Sequence, residues 1–300
     1  MAPAGAKGAL LAALAADGRA SVEALARAAS LSPAQVRQQL AELAGEGIDI
    51  RGIVHPSFFG HTALAHLLIE VSGSVDAVAG QLASLPEIPY LTRITGGRHV
   101  LAGELRVADR GALAAALVRL RAIDGVESIE LDEYLDIVKD AMIELAPASD
   151  VTLDDIDRSL LRDLQEDGRV SFAELARRVG LSTASARARV LRLLDAGVVR
   201  IGLRQRTRPD AVQLGFHLVG DGDEVGRALQ SRTAVSYLAT SLGRSTHVGT
   251  LHVSSLASAA AELDAVQAIP GVRALHTWTH LQVIKEHYRG ALTTPEQEKR

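Results

Sequence analysis

The chain has 300 residues, 47% of them hydrophobic and 23% charged, with a formal net charge of −4. That length suits about two domains with buried cores, and with only 3% aromatic residues those cores fall to Leu, Val, Ile and Ala. The small net charge gives no global sign of nucleic-acid binding, so any basic patch must be local, and the lack of cysteine excludes disulfides, thiolate zinc sites and cysteine nucleophiles.

The first helical segment holds ALLAALAA shortly after Lys7. Its Leu10, Leu11 and Leu14 precede Leu160, Leu161 and Leu164 by 150 residues, so it reads as a core helix rather than a secretory segment. No apolar run reaches the ~18 residues needed to cross a bilayer; the cytoplasm is the expected location, with no membrane partner. Ser21 opens a second helix that buries Leu25. Ser32 and Pro33 open a third, proline being well tolerated at the first helical position. Val36, Leu40 and Leu43 form its buried stripe and Gly47 ends it. With the short strand that follows, this is a plain or winged helix-turn-helix unit.

Next come a strand over 62–71, the helix SVDAVAGQLASL, the strands YLTRIT and HVLAGELRV, the helix RGALAAALVRLRAI, and a strand from Val126 to about Val138. That β-α-β-β-α-β order is ferredoxin-like. PASDVTLDD (147–155) is the natural joint to the second half.

The second half repeats the plan. LDDIDRSLLRDLQED buries Ile156, Leu160, Leu161 and Leu164 on one helix face. Ser171 with Glu174 three residues on predicts a capping box for the next helix, which Gly180 closes. Ser182 is the expected N-cap of a third helix, with Ala186, Val190, Leu193 and Leu194 as its buried stripe and Gly197 at its end. Then HLVGD, EVGRALQSR, VSYLATSL, THVGTLHV, SLASAAAELDAVQAI and VRALHTWTHLQVI give the ferredoxin-like order again. DGRASVEALARAASLS from Asp17 and DGRVSFAELARRVGLS from Asp167 share nine of sixteen residues in register. Two copies of so long a unit indicate duplication and a pseudo-dimer rather than a solenoid. The expected class is α+β: two helix-turn-helix domains (1–54 and 147–209, the latter with the linker) alternating with two ferredoxin-like domains (55–146 and 210–290), and a tail at 291–300.

Residues 153–200 resemble the N-terminal DNA-binding domain of the Lrp/AsnC (feast/famine) transcriptional regulators, and 8–52 resemble it more loosely. The ferredoxin-like parts are similar to that family's effector-binding and oligomerisation domain. The resemblance implies two family members fused head to tail in one chain, their ferredoxin-like domains packed sheet to sheet about a pseudo-two-fold axis. It implies double-stranded DNA as partner, an amino-acid effector, and homo-oligomers of pseudo-dimeric chains.

In a helix-turn-helix, the third helix enters the major groove. Ser182, Thr183, Ser185, Arg187, Arg189, Arg192 and Arg200 are the candidate DNA contacts of the second copy. From Thr183 to Arg208 there are seven arginines, Arg204, Arg206 and Arg208 included, against Asp195, a local charge of +6. Such an island suits phosphate contact with counterion release. In the first copy the candidates are Gln35, Arg37 and Gln38, followed by Glu42 and Glu46; Gln39 stands where Arg189 does. Gln can read adenine edges, but the electrostatic contribution of this copy should be small.

Two turns, TGGRHV (95–100) and LGRSTHV (242–248), stand where the family's effector turn lies. The resemblance implies effector contacts from Gly97, Arg98, His99, Gly243, Arg244, Thr246 and His247, with the arginines as carboxylate clamps. The acid that usually ends this turn in the family is absent from both, which puts the usual ligand preference in question. His276 and His280 share a strand face without a completing ligand set, so no metal is expected. No phosphate-binding loop, dinucleotide fingerprint or nucleophile elbow is present, and the acids of GDGDEVG (220–226) would repel phosphate. The chain is expected to be no enzyme and to use no cofactor. Two alternatives remain open: a siroheme decarboxylase-like enzyme of the same architecture, using Arg98, His99, Arg244 and His247 on tetrapyrrole carboxylates, or an effector sensor without direct DNA binding.

Overall fold

The computed structural model describes residues 4–140, 143–144, 151–205, 212–221 and 223–288. Arg206, Arg208, the 291–300 tail and part of the joint between the halves therefore lie outside the described residues. In chain order the elements are α1 (Ala4–Ala16), α2 (Val22–Ala29), α3 (Pro33–Gly45), β1 (Ile48–Val54), a 3-10 turn (Pro56–Phe59), β2 (Ala63–Val71), α4 (Val75–Ser84), β3 (Tyr90–Thr95), β4 (Leu101–Val107), α5 (Arg110–Arg121) and β5 (Val126–Asp140). The two-residue β6 (Ile143–Glu144) precedes α6 (Asp155–Glu166), α7 (Phe172–Val179), α8 (Thr183–Asp195), β7 (Val199–Gln205), β8 (Val212–Gly220), α9 (Asp223–Ser231), β9 (Val235–Leu242), β10 (His247–Val253), α10 (Leu256–Gln267) and β11 (Val272–Glu286). The chain forms two compact units, each assembled from both halves: Met1–His55 with Asp140–Pro209, and Pro56–Lys139 with Asp210–Arg300.

In the first unit, the helices start where the sequence offers hydroxyl or carboxylate caps. Ser21, Ser32, Asp154, Ser171 and Ser182 each accept a hydrogen bond from the backbone N–H three residues on. Reciprocal capping boxes form at Ser32–Gln35 and Asp154–Asp157. The one expected at Ser171 is only half made, because both Glu174 oxygens are taken by Arg177 and Arg178 at 2.6–2.9 Å. Leu10, Leu14, Leu25, Val36 and Leu43 form one buried cluster. Each such side chain contributes about 1.5–3 kcal/mol when fully withdrawn from water.

β1 and β7 do not serve as separate wings. They pair antiparallel over seven residues, Ile48 opposite Gln205 through Val54 opposite Val199, and so join the two copies. The repeated Asp-Gly-Arg segments close the same junction. Arg19 donates to the carbonyls of Gly168 (2.6 Å) and Val170 (2.8 Å), and Arg169 donates to those of Gly18 (2.7 Å) and Ala20 (2.9 Å). Asp17 and Asp167 shape the two loops by accepting from the backbone N–H of Arg19 and Arg169. Glycine is required at the centre of each loop. A Cβ on Gly18 would lie 2.6 Å from the Ile201 carbonyl oxygen, and one on Gly168 would lie 2.7 Å from the Ile201 side chain and 3.0 Å from the Arg51 backbone.

The second unit contains both β-α-β-β-α-β motifs. Each sheet has the order of its fourth, first, third and second strands: β5-β2-β4-β3 and β11-β8-β10-β9. β3 pairs with β11 and β9 with β5, so the two sheets share both edges and form a closed antiparallel ring of eight strands. Closure removes the exposed strand edges that invite association. One face of each sheet packs on its helices: Leu67, Ile69, Leu101 and Leu105 with α4 and α5, and Leu214, Phe216, Leu218 and Leu251 with α9 and α10. The alternate residues point the other way, and among them His66, Glu104, Asp132 and His217 are buried.

Candidate nucleic-acid interface

α8 is held in place by its apolar stripe, Ala186, Val190 and Leu193, all fully buried. Its opposite face is exposed from Ser182 through Ser185 and at Arg187 and Arg192. The Ser182 hydroxyl caps the helix through the Ser185 N–H at 3.1 Å, and the two hydroxyls lie 2.8 Å apart. Arg187 stands over the Phe172 ring at 6.0 Å, and Arg200 is exposed on β7.

Arg189 and Arg192 are tied to α6. Arg189 Nη1 donates to Asp154 Oδ2 at 2.7 Å and Asp157 Oδ1 at 2.9 Å, and Arg192 Nη2 donates to Asp157 Oδ2 at 2.5 Å. The Asp157 side chain is only 2% exposed. The Asp154 carboxyl lies below its usual range, first because of the Asp157 backbone N–H and then because of Arg189. The same contacts raise the Arg189 pKa, Asp154 leading. Two acids thus stand against the basic island beyond Asp195. A tally along the sequence misses them because they precede the island by some thirty residues. The signal was present in LDDID, whose two caps are both acids.

The first copy is arranged differently. Gln35 completes the capping box by accepting from the Ser32 N–H at 2.8 Å, while Gln38 and Gln39 both donate to Glu42, at 2.9 and 2.5 Å. Lys7 on α1 pairs with Glu46 at 2.6 Å. Arg37 is exposed on this helix.

The two turns of the second unit meet at one carboxylate. Arg98 Nη2 donates to Glu130 Oε1 at 2.6 Å, Arg244 Nη1 donates to Glu130 Oε2, and His99 Nε2 lies 3.5 Å from Oε1. Partial burial would raise the Glu130 pKa, but Arg98, His99 and Arg244 outweigh it and hold the carboxyl below its usual range. Gly97 has φ +95° and Gly243 has φ +150°, where a Cβ on Gly243 would meet Asp132 Oδ1 at 2.7 Å. Thr246 and His247 are not brought to Glu130. Thr246 Oγ1 donates to the Leu218 carbonyl and accepts from the Gly220 N–H, while His247 is buried with its Nδ1 3.0 Å from Thr246 Oγ1. Glu130 was not foreseen, since it is a strand residue far from both turns in sequence. Beneath it, Asp132 accepts from the N–H and hydroxyl of Ser245 at 2.9 and 3.0 Å.

A set of buried rings lies between the sheets. His66 Nδ1 is 3.1 Å from His217 Nε2, and Trp278 stacks on His66 and meets His217 edge-on, with centroids 5.2 and 4.9 Å apart. Burial lowers the His217 pKa to about 4, against the opposing pull of Asp132. Among the described residues, no three His, Asp or Glu side chains are arranged to hold a metal ion.

Residues 153–194 match the AsnC-type helix-turn-helix domain. The HTH-type transcriptional regulator LrpA of Mycobacterium tuberculosis (strain ATCC 25618 / H37Rv) is 52% identical over 60 residues, covering 20% of this chain and 39% of that protein. The HTH-type transcriptional regulator FL11 of Pyrococcus abyssi (strain GE5 / Orsay) is 28% identical over 143 residues, covering 45% of this chain and 94% of that protein. The chain spans only 37–42% of the length of the first four curated relatives it matches. The crystal structure of the siroheme decarboxylase NirDL superposes with a TM-score of 0.63 at 15% identity, covering 94% of this chain and 93% of that one. At that identity the likeness speaks for the fold alone. The chain carries an AsnC-type helix-turn-helix domain over residues 153–194 and is similar in sequence to HTH-type transcriptional regulators.

Proposed function

We propose that the chain is a sequence-specific DNA-binding transcriptional regulator in which α8 reads the duplex and α3 contributes little. The observation that carries this is the capped, exposed face of α8, which presents Arg187, Arg189 and Arg192 with Ser182, Thr183 and Ser185 at its start. Arginine in the major groove reads guanine through two parallel hydrogen bonds, each good pair worth about 1–3 kcal/mol of discrimination. The amides of Gln35, Gln38 and Gln39 on α3 are engaged within that copy, and Glu46, the C-cap of that helix, puts an acid at its end, paired with Lys7. Fluorescence anisotropy with a duplex from the region upstream of the coding sequence tests the asymmetry. Arg189→Ala weakens binding by about tenfold or more, in keeping with the loss of such a contact, and Gln39→Ala has a much smaller effect. Equal losses overturn the assignment of α8 as the main reader.

A small carboxylate such as an amino acid is the proposed effector, acting where Arg98 and Arg244 meet. Glu130 already occupies both guanidinium groups, so a ligand carboxylate binds there by displacing it. Isothermal titration with free amino acids tests this: Glu130→Gln should tighten binding, and an unchanged or absent heat in both proteins removes the effector from this place. Homo-oligomers of pseudo-dimeric chains complete the reading.

A decarboxylase acting on a tetrapyrrole is the second reading, favoured by the whole-chain likeness to NirDL. Against it, Arg98 and Arg244 are bound to Glu130 and His247 is sealed against Thr246. A shift in the siroheme absorbance spectrum on adding the protein would revive it.

A further inference from the structure

The carboxylate of Asp157 serves three donors at once. It accepts from the Asp154 N–H as half of the capping box of α6, from Arg189 at Oδ1, and from Arg192 at Oδ2. A carboxylate so deeply buried is tolerated only with paired charges and satisfied lone pairs. Its partners lie three residues apart on the outer face of the recognition helix, and their side chains are still 32% and 47% exposed. A guanidinium has five N–H donors, so each arginine keeps donors for another acceptor while its plane is held.

The other copy provides an internal comparison. At the positions 150 residues earlier, Lys7 replaces Asp157, Ala4 replaces Asp154, Gln39 replaces Arg189 and Glu42 replaces Arg192. The polarity of the inter-helix tie is reversed, with the cation on the first helix and the acid, Glu46, at the end of the third. The acid pair and the arginine pair thus occur together in one copy and are absent together from the other.

We infer that Asp157, assisted by Asp154, is a positioning residue that sets specificity in DNA reading. It fixes the orientation of Arg189 and Arg192 and offsets their charge, so a random run of phosphates gains little from them while a duplex with matching base acceptors gains their full set of bonds. This rests on α8 being the DNA-reading helix. Phosphate contacts carry salt dependence and base contacts carry sequence preference, so the two roles separate experimentally.

The test uses the full chain, a duplex selected from a randomised pool by the wild-type protein, and a scrambled duplex of the same composition. Asp157→Asn keeps the size and a cap acceptor but removes the charge. It should raise affinity for the scrambled duplex about tenfold and lower the selected-to-scrambled ratio correspondingly. The log–log salt slope should steepen by about one to two units, since each newly engaged phosphate adds roughly 0.9. Asp154→Asn, at a half-exposed cap that tolerates asparagine, should steepen it by about one through Arg189 alone, which gives a second reading if Asp157→Asn does not fold. Asp157→Glu restores the charge and should recover part of the ratio. A folded variant with unchanged ratio and slope overturns the inference while leaving α8 as the reader. A wild-type chain that binds neither duplex overturns the DNA reading and this inference with it.

Discussion

Histidine is the residue whose protonation the second unit is least able to accommodate. Burial lowers the pKa of His217 and His252 to about 4 and that of His280 to about 3, the last with His252 adding to the effect. His66 lies well below its usual value, also through burial. The unfolded chain, with histidines near 6.5, therefore binds more protons than the folded one between about pH 6.5 and 4. The stability these residues contribute is fully present above pH 6.5 and is lost as pH falls toward their folded values. Trp278, the single tryptophan, stacks on His66 and reports on this directly. The urea midpoint followed by its fluorescence should fall clearly from about pH 7.5 to about pH 5. A midpoint unchanged over that interval contradicts the neutral, buried assignment. At this scale the sequence was a partial guide. Arg98 and Arg244 were legible from their turns, but Glu130, which receives both, was not, because a strand acid shows its partners only after the sheets are assembled. The same holds for Asp157 against Arg189 and Arg192.

The elements themselves were almost wholly legible, because what starts and stops them is local. Ser32 with Pro33, Ser171, Ser182, Gly180 and Gly197 marked helix ends within a few residues, and alternation marked the strands. What pairs with what was not. β1 and β7 read as wings of separate domains, yet each completes the other, and nothing in a seven-residue strand names a partner 150 residues away. The closed eight-strand ring was hidden for the same reason: nothing in the edge strands β3, β5, β9 and β11 names the strand each meets in the other half. The Asp-Gly-Arg repeat belongs to this scale. It recurs because each copy grips the other's loop, an arginine needing a carbonyl pair and a glycine to receive it. Removing one grip by Arg169→Ala should lower the stability of the first unit by about 2 kcal/mol, the range for a hydrogen bond to a charged group. Gly18→Ala should cost about 1–3 kcal/mol by forcing a Cβ onto the Ile201 carbonyl. Thermal melting of each variant measures both, and a variant as stable as wild type would remove the clasp from the account.

For the whole molecule, duplication gives two discontinuous units, one collecting both helix-turn-helix copies and the other both ferredoxin-like sheets. The copies within the first unit are alike as scaffold and unlike in charge: arginines on α8 face acids on α6, whereas Glu46 at the end of α3 faces a lysine on α1. A pseudo-dimer with one basic reading helix should show the salt dependence of a single phosphate-contacting surface. The most direct test is a titration of upstream duplex DNA with the full chain at increasing salt. Log affinity should fall linearly with log salt, at roughly 0.9 per phosphate contacted, and Arg187→Ala with Arg200→Ala, two exposed arginines of α8 and β7 that no aspartate ties to α6, should flatten the slope. Affinity that stays constant from low to moderate salt, or a slope the double substitution leaves unchanged, would contradict it.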